Sequence, residues 1–397
     1  MQMAVNIDDL QRSARRRLPK ILYDWLEGGA EDERGLERAR DSFDAYRFLP
    51  RYGRDMSGRT LATTLFDCSY DRPFGIGPTG YTGLLRPGGE QILLAAAIAA
   101  NIPYVLSGVS VASLESIAAA GATRAWYQLY PARDRDLTLD IVRRARDAGY
   151  ATLVLTADMP VEAKRERDIR NGFVLPLRYT PSLLWDGLSH PAWTLRYLWN
   201  GGLPTLGSWA RYAPGGASPA QIAAFQFAQK YPTQTWQDVD DYRRLWPGKL
   251  VVKGLLRPDD AHRALQAGAD GIVVSNHGAR QLDRALAPLE SLPAIRDAVG
   301  GRLVIMLDGG IRRGSDIAMA IALGADFVFV GRAILYGLVA DGRRGVRCAI
   351  DILTDELSRV MAQLGTNSTG ELDSTVLAAA CASCARRDAF ADRTAVS

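Results

Sequence analysis

From residue 73 onward, short apolar runs of strand length alternate with amphipathic segments of helical period. The runs are "PFGIGPTG" (73 to 80), "IPYVLSG" (102 to 108), "AWYQLY" (125 to 130), "ATLVLTAD" (151 to 158), "KLVVKG" (249 to 254), "DGIVVSN" (270 to 276), "RLVIMLDGG" (302 to 310) and "DFVFVGR" (326 to 332). Between them lie segments such as "LTLDIVRRARDAG", "PDDAHRALQAG" and "GSDIAMAIALG", each closing on the glycine favoured just past a helix C-terminus. Near-continuous apolar strands separated by amphipathic helices predict a parallel sheet covered by helices. Eight such units predict an α/β fold of the (β/α)8 TIM-barrel type. A doubly wound open sheet would show the same alternation, but no G-x-G-x-x-G follows the first strand to mark a dinucleotide site.

Three parts fall outside the repeat: an N-terminal helical segment over 1–72, a long insertion after the fourth strand that includes 177–216, and a C-terminal helix followed by a tail over 366–397. No Pro/Ser-rich linker separates them, so the expectation is a single domain over 1–397 with its barrel at 73–365. The stretch from Gln91 to Leu114 has no charge and is long enough to span a bilayer if helical. "NIP" at 101 to 103 interrupts it, which predicts a buried helix followed by a buried strand.

Composition narrows the partners. With 47% hydrophobic and 23% charged residues the chain is an ordinary folded protein, and a net charge of +4 gives no reason to expect nucleic acid. The basic run "RSARRRLPK" at 12 to 20 reads as a solvated helix face or as a contact with anionic lipid. The charges in "ILYDWLEGGAEDE" that follow it exclude an export signal, so a cytoplasmic location is expected. Four cysteines make no disulfide framework, and Cys381 and Cys384 form a C-x-x-C without the second pair that a structural zinc needs. His190, His262 and His277 lie in separate contexts without ligand spacing, so no metal site is expected.

A barrel of this kind carries its chemistry at the C-terminal ends of its strands, which gathers distant positions into one cluster. The strand ends offer Thr79, Gly80, Ser107, Gln128, Tyr130, Thr156, Asp158, Lys253, Ser275, His277, Arg280, Asp308, Arg312, Gly331 and Arg332. Glycines in "DGGIRRG" and "GRA" let backbone amides approach an anion and arginines can pair with it, so these last two turns point to a phosphorylated ligand. His277 shares the cluster with Asp158, which can hold one ring nitrogen and leave the other as a base. Arg280 and Arg165 can hold a carboxylate beside that base. Lys253 can be a snorkelling residue, a Schiff-base nucleophile or a fixed charge; the nearby phosphate site favours a charge that stabilises an anionic reduced cofactor.

"SNHGARQLD" together with "LDGGIRRGSD" closely resembles the FMN-dependent L-2-hydroxy acid oxidases and dehydrogenases, and the likeness runs from "RRLPKILYDWLEGGAEDE" to about residue 365. The N-terminal stretch and "HPAWTLRYL" are most similar to the mandelate dehydrogenase branch. The resemblance implies FMN as cofactor and a small 2-hydroxy acid as substrate. It makes His277 the active-site base, oriented by Asp158, with Arg280 and Arg165 on the substrate carboxylate and Tyr130 near its hydroxyl. Lys253 would lie by the flavin N1 and O2, and Pro78, Thr79, Gly80, Ser107, Gln128, Thr156 and Ser275 at flavin-contacting positions. Asp308 would meet the ribityl chain, and Gly309, Gly310, Arg312, Gly331 and Arg332 the phosphate. Family members are often tetramers, so a homotetramer is the implied assembly.

One position departs from the family. Its members usually read Tyr-Asp-Tyr near the N-terminus, the second tyrosine helping to bind the carboxylate; here the motif is "YDW". Trp25 keeps a donor but cannot accept a hydrogen bond and takes more volume, which predicts an altered substrate preference. Gly80 stands where the family's oxidases often carry alanine, which favours a dehydrogenase passing electrons to a quinone-type acceptor over an oxidase forming hydrogen peroxide. Residues 177–216 contain Trp185, Trp193, Trp199 and Trp209, with Arg178, Arg196 and Arg211 against one acid, Asp186. Such a segment can lie in a bilayer interface, as the similar branch does, placing the protein on the inner face of the cytoplasmic membrane; a lid or an oligomer contact would use the same tryptophans.

Overall fold

A computed structural model describes residues 4–173, 181–202, 204–230 and 234–380 of the chain. The eight apolar runs form eight strands: β1 (Phe74–Ile76), β2 (Tyr104–Ser107), β3 (Ala125–Leu129), β4 (Thr152–Thr156), β5 (Lys249–Leu255), β6 (Gly271–Val274), β7 (Val304–Asp308) and β8 (Phe327–Val330). Neighbours pair in parallel, and β8 pairs with β1 to close the barrel. The predicted (β/α)8 architecture is therefore the one observed.

Side-chain alternation explains where the site lies. Successive strand residues point to opposite faces. Val105, Trp126, Val154, Val251, Val273, Met306 and Phe329 pack together inside the barrel, while Leu106, Tyr127, Leu153, Val252, Ile272, Ile305 and Val328 join the core beneath the helices. Two residues further along each inward series come Ser107, Gln128, Thr156, Lys253, Ser275, Asp308 and Gly331. One parity thus carries an apolar plug at the bottom and a polar layer at the top.

The N-terminal segment is helical only in part. Helices Ile7–Arg15, Lys20–Glu27 and Arg34–Asp41 are followed by a short strand, Tyr46–Phe48, that pairs with Leu377–Ala379. A hairpin, Thr63–Leu65 with Cys68–Tyr70, then inserts Leu65 and Tyr70 among the inward residues and seals the barrel floor. The predicted C-terminal helix is Arg332–Leu364, broken at Asp341 and Gly342, where Gly342 takes φ +55°. The tail residues Cys381 and Cys384 lie outside the described residues.

The insertion contributes helices Pro181–Ser189 and Pro191–Trp199. Its tryptophans divide: Trp209 is buried and donates to the Gly108 carbonyl at 2.8 Å, Trp193 donates to that of Leu84 at 3.2 Å, and Trp185 and Trp199 are 73% and 93% exposed. Arg178 lies outside the described residues. No described helix is long and apolar enough to cross a membrane.

Candidate active site at the C-terminal ends of the strands

Buried polar groups need partners, and the upper layer supplies them to itself. Ser107 Oγ donates to Gln128 Oε1 at 3.1 Å, and Gln128 Nε2 donates to Thr156 Oγ1 at 2.9 Å. Lys253 Nζ donates to Ser275 Oγ at 2.7 Å and pairs with Asp308 Oδ2 at 2.8 Å. The other oxygen of Asp308 is buried with no partner among the described residues, so it can accept from a ligand. A cavity above this floor is lined by Pro78, Thr79 and Gly80 on one side and by Gly309, Gly310, Arg312, Gly331 and Arg332 on the other. A side chain at Gly331 would meet nothing closer than Thr79 Cγ2 at 3.8 Å, so bare backbone faces the cavity there.

The two arginines expected to clamp a phosphate border this cavity with donors already engaged. Arg332 donates to the carbonyls of Leu26, Gly28 and Gly278 at 2.9 to 3.1 Å. Arg312 donates to the Ile311 carbonyl at 2.9 Å and to Tyr336 Oη at 3.3 Å. Arg332 thereby ties the N-terminal helix to the loop after β6.

That loop positions the histidine. His277, Gly278 and Ala279 all take left-handed backbone angles, φ +57°, +62° and +59°, which is uncommon for a histidine or an alanine and marks strain held by its surroundings. Asn276 Oδ1 accepts from the Ala279 amide at 3.1 Å, and the Ala279 carbonyl accepts from the Ala30 amide at 2.9 Å, fixing the turn from both sides. The turn sets the imidazole over the barrel mouth, with Nδ1 2.9 Å from Asp158 Oδ1 and Nε2 3.3 Å from Tyr130 Oη. Gly254, at φ +105°, makes room for the acid: a Cβ there would fall 2.5 Å from Asp158 Cγ.

Burial pushes the Asp158 carboxyl up, but the charge and hydrogen bond of His277, with Lys253 behind, together outweigh it and leave the carboxyl below its ordinary value. Burial raises the Tyr130 phenol well above its ordinary value, keeping it a neutral hydrogen-bonding group.

A second cavity, of about 110 Å³, opens beside the imidazole and is lined by Trp25, Tyr130, Arg165, His277, Arg280 and Lys230 among others. Arg280 donates to the carbonyls of Trp25 and Gly28, both at 2.7 Å, and lies over the Trp25 ring at 5.4 Å. Burial, then the charges of Arg165 and Arg332, push its guanidinium well below the usual range. Arg165 donates to the Arg280 carbonyl at 3.3 Å and sits 3.8 Å from Asp168. Cations crowded in this way favour an anion between them.

Sequence reasoning did not find Lys230, Gln226, Gln229 and Gln234, which line the same chamber. Gln226 lies in helix Pro219–Ala228, the other three follow it, and none of the four belongs to a motif. The Lys230 ammonium lies 4.7 Å over the Phe227 ring, and burial followed by the Arg165 charge lowers its pKa to about 8.

Residues 14–379 match the family model of FMN-dependent dehydrogenases. The chain is 42% identical to (S)-mandelate dehydrogenase of Pseudomonas putida over 92% of its own length and 91% of the relative's. It is 39% identical to an L-lactate dehydrogenase of Pseudomonas aeruginosa, over 93% and 97% of the two chains. Among solved structures it superimposes on the monotopic membrane protein (S)-mandelate dehydrogenase with a TM-score of 0.92 and 40% identity, covering 96% of this chain and all of that one. The match spans the eight strands and every strand-end residue described above, and the chain belongs to the FMN-dependent dehydrogenase family.

Proposed function

We propose that this protein oxidises an L-2-hydroxy acid of the mandelate type to the 2-oxo acid and passes the electrons to a quinone-type acceptor at a bilayer surface. The observation that carries the reading is the His277–Asp158 pair facing a chamber that it shares with Arg165 and Arg280. Bound FMN supplies the two-electron acceptor for the substrate. Ser107, Gln128, Thr156, Ser275 and Lys253 would hold its ring, with Pro78, Thr79 and Gly80 against it. The free oxygen of Asp308 fits a ribityl hydroxyl, and the backbone at Gly309, Gly310 and Gly331, with Arg312 and Arg332 behind it, fits the phosphate.

The chain's own part is orientation and proton handling. Arg165 and Arg280 hold the carboxylate, which fixes the α-carbon and its hydroxyl beside the imidazole. Asp158 keeps the proton on Nδ1, so Nε2 is the base, and stabilises the imidazolium once Nε2 has taken a proton. Tyr130 Oη, 3.3 Å from Nε2, stands where a substrate hydroxyl can bond to both. Trp25, buried against Arg280, sets the volume left for the substrate side chain.

Gly80 supports the dehydrogenase reading over the oxidase one: a Cβ there would fall 2.6 Å from Val109 Cγ2, so the chamber wall is built around its absence. The exposed Trp185 and Trp199 support attachment of the insertion to the bilayer interface. Anaerobic mixing of the FMN-loaded protein with mandelate, lactate and glycolate tests the reading: flavin bleaching fastest with mandelate supports it, bleaching fastest with lactate makes the protein a lactate dehydrogenase, and no bleaching with any of them refutes it. Peroxide formed in step with turnover would mark an oxidase.

A further inference from the structure

Beside the catalytic chamber lies a far larger cavity, of about 1000 Å³. Its walls are mostly apolar: Ile21 and Leu22 from the helix Lys20–Glu27, Ile169 and Phe173 from the segment after β4, and Leu188 and Trp193 from the insertion. Trp25, Tyr81, Arg165 and Lys230 line both cavities, so the two meet. At the other end Leu184, Leu188 and Leu198 line the groove and are themselves 58%, 71% and 62% exposed, on the same two helices as Trp185 and Trp199. The groove therefore runs from an exposed apolar face to the chamber.

Specific bonds fix its walls. Asp186 accepts from the backbone amides of Lys20 at 2.9 Å and Ile21 at 3.2 Å, capping the helix that carries Trp25. The Trp193 indole donates to the Leu84 carbonyl at 3.2 Å, tying the second insertion helix to the segment that carries Tyr81. The insertion is thus anchored to the chamber's own rim.

We infer that this groove binds the apolar tail of a lipid-soluble quinone and delivers its ring to the catalytic chamber. The inference rests on the reading above, that the protein is a hydroxy acid dehydrogenase working at a bilayer. A substrate held by Arg165 and Arg280 beside His277 leaves the groove unused, whereas each turnover needs an acceptor for two electrons and two protons. A quinone matches the groove at both ends. Its tail fits the apolar walls, and its ring carbonyls can accept hydrogen bonds at the junction, where the Lys230 ammonium has no hydrogen bond or ion pair among the described residues. The reaction balances: R–CHOH–COO⁻ becomes R–CO–COO⁻, and the quinone takes up the electron pair while each of its two carbonyl oxygens gains one proton. The quinol leaves by the same route.

The test uses the FMN-loaded protein in detergent micelles, so that membrane docking is not the variable, with a quinone carrying a decyl tail, the same ring without a tail, and a water-soluble dye. Two variants obstruct the groove: Leu188→Glu places a charge in it, and Gly187→Trp fills it from a position where a Cβ would meet only Thr194 Oγ1, at 3.5 Å. The KM for the tailed quinone is expected to rise roughly tenfold or more in both. Flavin bleaching by the hydroxy acid and dye reduction should change by less than about twofold. Saturable quenching of tryptophan emission by the tailed quinone should weaken in parallel. Equal KM values for tailed and tail-less quinones in the unaltered protein would overturn the inference. So would variants that keep the tailed KM but lose oxidation of long-chain 2-hydroxy acids, which would assign the groove to a substrate tail. No bleaching by any hydroxy acid would instead remove the dehydrogenase reading, and this inference with it.

Discussion

Asp158 Oδ1 lies 2.9 Å from His277 Nδ1, on the side of the ring away from the nitrogen that faces Tyr130. The acid therefore sets which nitrogen is free. Asp158→Asn keeps the shape but can donate to Nδ1 and turn the tautomer, so flavin reduction should slow by about 10²- to 10⁴-fold. FMN absorbance should stay unchanged. Stopped-flow reduction rates check this, and a loss below about tenfold would show that the imidazole does not depend on that carboxylate.

Trp25 lines the chamber beside Arg280, its ring 5.4 Å from the guanidinium. Trp25→Tyr restores an acceptor and frees volume, so the ratio of kcat/KM for mandelate to that for lactate should shift by about tenfold. A substrate profile indistinguishable from the parent's would count against Trp25 as a specificity residue.

Lys230 gives a pH signature. Its pKa of about 8 leaves the ammonium charged at neutral pH and lost as pH rises through that value. Arg165 and Glu162 are the charged groups that act on it. Attraction for an anionic substrate is thus complete below about pH 7 and fades above pH 8. The KM for the hydroxy acid should climb across pH 7 to 9 in the parent and stay flatter in Lys230→Met, which should bind more weakly at pH 7. Identical pH profiles would exclude Lys230 from substrate binding.

The proposed membrane contact of the insertion can be tested at its exposed tryptophans. Replacing Trp185 and Trp199 together by serine removes two interfacial anchors and should release the protein from anionic liposomes in flotation, while turnover with a soluble dye persists. Full retention on liposomes would point to another attachment surface.

The barrel was legible in the chain because short apolar runs bounded by glycines and polar turns recur eight times in alternation with amphipathic helical segments. The polar top layer was legible because barrel geometry turns strand ends into neighbours. The floor hairpin Thr63–Tyr70 was not: its strands are three residues each, too short to show a period, and it fell within a segment read as helical. Lys230 was hidden for another reason. It reaches the chamber from beyond a helix in the long excursion between β4 and β5, where no repeat fixes its place. The engaged donors of Arg312 and Arg332 were also out of reach, because all but one of their acceptors, Tyr336 Oη, are carbonyls, which every residue possesses.

The proposed mechanism stands or falls on the His277 imidazole beginning substrate oxidation over a bound FMN. Anaerobic stopped-flow mixing of (S)-mandelate with the parent and with His277→Gln, each with its FMN content measured, addresses it most directly. Rapid bleaching is expected in the parent and none in the variant at equal FMN content. Rapid bleaching in the variant, or a parent protein that binds no FMN, would contradict it.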